Sequence, residues 1–147
     1  MKLLVLFMTI CNLTLPVQTW LTDFEQAKTE AVKHKKLILL NFSGSDWCGP
    51  CMRLKKEIFN TEAFNTFASE SLILVNADFP RSKKNKLSDQ QTKQNDHIAS
   101  IYNKNGLFPF TLLLTAEGKV LKEWEGFPTI SPDDFVKQIK IIVDANH

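Results

Sequence analysis

Two continuous apolar runs, Leu37–Phe42 and Leu72–Ala77, constrain this chain more than any other feature. The first is broken only by Asn41. It is bounded by a Lys-rich turn on one side and by Ser43-Gly44-Ser45 on the other. Six residues of this kind suit a strand buried on both faces. The second run closes at Asp78-Phe79-Pro80. Between them Leu54, Ile58 and Phe59, then Phe64 and Phe67, repeat at helical spacing. The spacing predicts one long helix, and a strand–helix–strand unit of this kind lets the two strands lie parallel.

The rest of the chain extends that unit. Thr22-Asp23-Phe24-Glu25 reads as a capping box, with Thr22 at the cap and Glu25 three residues on. Phe24, Ala27 and Ala31 then share one face of a helix running to about Lys33. Arg81–Lys86 is a basic loop, read as solvated, with the docking of an acidic partner as the alternative. Ser88-Asp89-Gln90-Gln91 starts a helix that runs to Tyr102 and is stopped by Asn105-Gly106. Phe110–Thr115 and Lys119–Trp124 are strands joined by Ala116-Glu117-Gly118, short enough for an antiparallel hairpin. In the last helix Ser131 is the cap and Pro132 the first residue. Ile130 and Phe135 take the staple positions, and Phe135, Ile139 and Ile142 form the buried stripe. The predicted order is α-β-α-β-α-β-β-α, a single α/β domain. The 147 residues suit one domain, and 44% hydrophobic residues with eleven Phe can build its core. A net charge of +2 lacks the dense basic footprint that nucleic-acid binding needs.

Residues 1–19 read as a removable leader. Met1 and Lys2 form a weakly positive start, and Leu3–Leu15 is mostly apolar, interrupted by Thr9, Asn12 and Thr14. Pro16 ends the run and Val17-Gln18-Thr19 precedes a cut. A run of this length is too short to span a bilayer, so the pattern is that of a secretory signal. The alternative is an ordinary apolar N-terminal strand or helix. Cys11 does not make a lipoprotein site, because Ile10 before it is not small. With 1–19 removed, residues 20–147 form the working domain, exported to a periplasmic or extracellular setting with no membrane span. Its only cysteines are then Cys48 and Cys51.

Those two cysteines carry the chemistry. A thiolate, not a thiol, attacks a disulfide. The start of a helix, with its unpaired N–H groups, favours the anion. The sequence places Cys48 at such a start. Cys51 follows one turn later on the same face, able to attack a mixed disulfide on Cys48. Pro50 suits the first turn, where its missing N–H costs nothing. A zinc site would need four ligands, and His34, His97 and His147 are scattered, so no metal is expected. A purely structural staple across two residues would restrain little chain entropy.

Trp47-Cys48-Gly49-Pro50-Cys51, after a buried strand and opening a helix, resembles the active site of the thioredoxin superfamily. The stretch Asn41–Cys48 is similar to exported bacterial thioredoxin-like proteins in particular, and the likeness covers residues 22–144. It implies a thioredoxin fold: a central mixed sheet flanked by helices on both faces. It implies thiol–disulfide exchange with Cys48 as nucleophile and Cys51 as resolving residue. Phe108-Pro109 falls at the superfamily's cis-proline position, so Trp47, Gly49, Pro50, Phe108 and Pro109 would bind the substrate chain. No bound cofactor is implied; the electrons sit in the cysteine pair. The implied partners are protein thiols and disulfides, with a further redox protein to recharge the pair. Gly-Pro between the cysteines resembles reducing thioredoxins, which points to a reductase. An oxidase or isomerase, or a weakly catalytic binding or chaperone-like module, are the alternatives. Two departures stand out. Asn41 occupies the place of the usual buried carboxylate, with Leu74 at its neighbouring lysine, leaving water or Asp46 to carry the proton of Cys51. The segment Phe79–Gln94 is also longer than in thioredoxins.

Overall fold

The computed structural model describes residues 18–146. The expected leader over 1–19 lies outside the described residues except for Gln18 and Thr19, and so does Cys11. The first element is a two-residue strand, β1 (Trp20–Leu21), too short to leave any periodic signal in the sequence. Next come α1 (Phe24–His34), β2 (Leu37–Ser43), α2 (Gly49–Leu54), a π-helical turn (Lys55–Phe59) and α3 (Glu62–Ser71). The chain continues with β3 (Leu72–Asp78), a 3-10 turn (Lys83–Asn85) and α4 (Asp89–Tyr102). It closes with β4 (Phe110–Leu114), β5 (Val120–Glu125) and α5 (Pro132–Ala145).

The five strands form one sheet in the order β1-β3-β2-β4-β5. β2 pairs parallel with β3 and antiparallel with β4, and β4 pairs antiparallel with β5, so the sheet is mixed. All of β2 is buried, because it lies at the sheet's centre with a hydrophobic layer on either side. Leu37 and Leu39 pack with Leu54, Ile58, Phe64 and Phe135 on the side of α2, α3 and α5. Ile38, Leu40 and Phe42 pack with Phe24, Ala27, Ala31 and Ile98 on the side of α1 and α4. Two faces of one strand feed two cores, which is why the sequence shows a continuous apolar run instead of alternation.

Three local expectations are corrected. The cap of α1 is Asp23, not Thr22: the Asp23 carboxylate accepts the Gln26 N–H at 3.0 Å. Asp is the stronger cap of the two, and the Thr22 carbonyl instead accepts from Gln91. The long helix after the cysteines is interrupted. The Asn60 N–H reaches back to Lys55 O across a π turn, and Thr61 caps a fresh helix by accepting the Phe64 N–H. In α5 the buried stripe is Phe135, Ile139 and Val143, with Ile142 only half-buried. Positions 135, 139 and 143 hold a strict four-residue spacing that keeps one row over the sheet.

Phe135 is the hinge of the first core. It is fully buried, with its ring 5.0 Å from Trp124, 6.2 Å from Phe59 and 6.4 Å from Phe64. Phe135→Ala should cost about 3–5 kcal/mol of unfolding free energy in urea titration, by lost burial and an unfilled cavity. A loss below ~1 kcal/mol, the range of ordinary surface changes and mild core swaps, would contradict this packing.

Candidate active site

Cys48 sits where the chain turns from β2 into α2. Its backbone is extended, with φ −94° and ψ 98°, and its N–H is held by Gly44 O at 2.9 Å. The Cys48 side chain is the cap of α2: Sγ accepts the N–H of Cys51 at 3.2 Å. The two cysteines are joined as a disulfide with Cα atoms 5.2 Å apart. Both are nearly covered, Cys48 at 4% and Cys51 at 6% exposure, while Gly49 and Pro50 between them are exposed. The first turn of α2 therefore directs an N–H group at sulfur, the interaction that favours a thiolate there.

Trp47 is bound on three sides. Its Nε1–H donates to Phe79 O at 2.7 Å, and its ring meets Phe108 edge-on at 5.3 Å. The guanidinium of Arg81 lies 3.7 Å over its face. Gly44 is required here, because a Cβ at that position would run into the indole. The Phe108–Pro109 bond is cis, as expected, and Pro109 is buried. The register explains how these residues converge: Phe110 pairs with Phe42, so Phe108-Pro109 runs beside the loop that carries Trp47 and Cys48. A buried Asn103 fixes that approach. Its side chain donates to Leu107 O at 2.9 Å and accepts the Leu107 N–H at 2.8 Å.

Asn41 lies below the pair within a polar ladder across three strands. Thr111 donates to Asn41 Oδ1 at 3.0 Å, and Asn41 Nδ2 donates to Asn76 Oδ1 at 2.9 Å. Ser43 Oγ stands 3.1 Å from Asn76 Oδ1 and 3.2 Å from Asp78 Oδ1, one proton between two acceptors. Asn76, not Leu74, is thus the cross-strand neighbour of Asn41; Leu74 pairs with Leu39 and belongs to the apolar core. The ladder satisfies each member, so the missing carboxylate leaves no orphaned polar atom. A cavity of about 300 Å³ opens beside it, lined by Cys51, Asn41, Asn76, Ser43, Lys55 and Phe59 among others.

Asp46 has another task. Its carboxylate accepts the N–H groups of Arg81 and Ser82, both at 2.9 Å, and Asn85 Nδ2 at 3.0 Å. These hydrogen bonds, Arg81's foremost, hold its carboxyl below the usual carboxylate range. Its carboxylate is thus committed to the loop, and no hydrogen bond joins it to Cys51 among the described residues. Asp78 is likewise occupied, accepting Ser45 N–H at 2.8 Å and Ser45 Oγ at 2.5 Å. Among the described residues no three His, Cys, Asp or Glu side chains are grouped to hold a metal. Asn76, Asn95 and Asn103 were not singled out from the sequence as site residues. A polar residue inside an apolar strand, as at Asn76, was the available signal.

Comparison with known proteins agrees with this geometry. A family model described as thioredoxin-like matches residues 19–116. Disulfide bond reductase DsbH of Chlamydia pneumoniae is 33% identical over 119 residues, which span 78% of this chain and 69% of the relative. Thioredoxin-related protein DsbJ of the same organism is 29% identical over 98 residues, or 67% of this chain and 27% of that longer protein. Among solved structures, DsbH oxidoreductase superposes with a TM-score of 0.80 at 26% identity, covering 95% of this chain and 94% of that one. The mixed sheet with helices on both faces is a thioredoxin fold.

The Asp46 contacts give a prediction with a sign. A carboxylate whose folded pKa is lowered contributes stability above its unfolded pKa of about 3.9, and that contribution is lost as pH falls through the folded value. The Arg81 and Ser82 amides should therefore be protected from hydrogen exchange at neutral pH and lose protection in acid. Asp46→Asn should raise their exchange severalfold at neutral pH. Unchanged protection in the variant would show that the loop does not depend on this carboxylate.

Proposed function

This chain belongs to the thioredoxin-like family, and on that premise we propose that it reduces disulfides of exported proteins through Cys48 and Cys51. The observation that carries the reading is the Cys51 N–H held on Cys48 Sγ at 3.2 Å, at a helix start flanked by exposed Gly49 and Pro50. In the dithiol state the Cys48 thiolate attacks a target disulfide. One target sulfur leaves as thiolate and a mixed disulfide forms. Cys51 then loses its proton and attacks Cys48 Sγ. This closes the Cys48–Cys51 bond and releases the second target thiol. Two electrons pass from the pair to the target, and a separate dithiol donor restores them. The bond present in this structure is the product of that half-reaction.

Cys48 is the nucleophile in this scheme because its sulfur receives the helix N–H and lies beside the exposed dipeptide. Cys51 faces the ladder-lined cavity, where water can accept its proton. Trp47 and Phe108 form one wall of the substrate site, with Gly49, Pro50 and Pro109 beside it. No bound cofactor enters the reaction. The reductive direction is supported by the likeness to the disulfide bond reductase of Chlamydia pneumoniae and by Gly-Pro between the cysteines. A leader over residues 1–19, cut after Thr19, would place residues 20–147 in the periplasm or outside the cell. Among the described residues no helix is long and apolar enough to cross a membrane.

Cys51→Ser should accumulate a mixed disulfide between Cys48 and a disulfide-bonded protein substrate, seen as a reducible adduct by mass spectrometry. Cys48→Ser should form no adduct and lower substrate reduction to the uncatalysed rate. A biological function left intact by the Cys48→Ser, Cys51→Ser double variant, which has no dithiol to reduce a target, would instead identify a binding or chaperone-like module.

A further inference from the structure

The segment after β3 is basic and is built into the active site. Arg81, Lys83, Lys84 and Lys86 are all exposed. They do not hang on a free loop. Asp46, immediately before Trp47, takes the backbone N–H groups of Arg81 and Ser82 and the side chain of Asn85. Trp47 takes Phe79 O through its indole N–H. Arg81 stacks on Trp47, next in sequence to Cys48. The positive charges are thus held at a fixed place relative to the reactive sulfur.

These charges have little to answer them on the protein itself. Asp46 and Asp78 are consumed by loop N–H and hydroxyl groups, and Glu57 is held bidentately by Nε and Nη2 of Arg53. Among the described residues Arg81, Lys83, Lys84, Lys55 and Lys56 have no carboxylate at ion-pair distance, and Lys86 has only a loose 3.7 Å contact with Asp89. Residues 43–59 and 78–88 hold seven basic side chains and three acidic ones, whereas the rest of the chain carries more acids than bases. Two cavities of similar size lie on either side of the Ser45–Asp78 contact. One of about 300 Å³ is bordered by Cys51, Lys55 and Lys56; the other, about 310 Å³, by Arg81, Lys83 and Lys86. Each can take an acidic side chain.

We propose that segment 81–86, with Lys55 and Lys56, docks an acidic stretch of polypeptide flanking the target disulfide, and that Arg81 is its specificity-determining residue. The proposal rests on the disulfide-exchange reading above. Stacking on Trp47 orients the planar guanidinium and leaves its edge N–H groups for a carboxylate, which Lys cannot match bidentately. The same stacking covers the indole face that a nucleobase would need, which favours acidic polypeptide over single-stranded nucleic acid.

The test compares three oxidised peptides, identical around one disulfide, with acidic, neutral or basic flanks, alongside a small neutral disulfide. At low ionic strength kcat/KM for the acidic peptide should exceed that for the basic one by at least about tenfold. The gap should close as salt is raised. Lys83→Glu with Lys84→Glu should reverse the order while the small disulfide reacts as before. Arg81→Lys should lose part of the preference and Arg81→Gln more. Equal rates for the three wild-type peptides would overturn the proposal, and that comparison needs no variant to fold. So would an unchanged preference in the charge-reversed protein, or a loss shared equally with the small disulfide. If no disulfide reacts, the exchange reading fails, and docking is judged by anisotropy with thiol-free peptides. Tighter binding of the acidic peptide supports it; equal binding, or equal binding to phosphatidylglycerol vesicles, overturns it.

Discussion

The hydrogen bond from the Cys51 N–H to Cys48 Sγ joins the fold to the chemistry. It exists because β2 ends at Ser43, a five-residue turn follows, and the next helix begins with sulfur as its cap. A hydroxyl or carboxylate at a cap satisfies a backbone donor. A cysteine there satisfies the same donor and gains a stabilised anion in return. Everything above this turn supports its position. The fully buried β2 fixes where the turn starts, and Gly44 gives the Trp47 ring the space to pack. The antiparallel pairing of Phe42 with Phe110 brings Phe108 and Pro109 alongside.

The departures from a thioredoxin pattern form a connected set. Asn41 replaces a carboxylate, yet its two neighbours across the sheet are Asn76 and Thr111, which complete its hydrogen bonds. An uncharged ladder can sit beside Cys51 without an ion that burial would penalise. Asp46 and Asp78, at the ends of this region, serve instead as clamps on the turn and on the longer segment after β3. An uncharged ladder beside Cys51 thus adjoins a positively charged rim held by Asp46.

Much of this was legible in the sequence because it rests on local rules. The buried strands, the caps at Ser88 and Ser131, the hairpin and the Cys48–Cys51 pair each follow from a few neighbouring residues. What was missed depends on contacts between distant segments. Trp20–Leu21 is a strand only because β3 offers an edge beside it. The π turn at Lys55–Phe59 is the local exception: Thr61 starts a new helix there, a break that the continuing apolar spacing does not reveal. Nothing nearby in sequence reveals the three donors of Asp46, which lie 35 to 39 residues away.

The most direct test of the account is the reduction potential of the Cys48–Cys51 pair, measured on residues 20–147 by equilibration with glutathione and thiol alkylation. Reference values are about −270 mV for thioredoxin and about −120 mV for the strongest periplasmic oxidant. A reductase built on this site should lie near the first value. A potential near the second would contradict the reductive direction and make the pair a donor of disulfides.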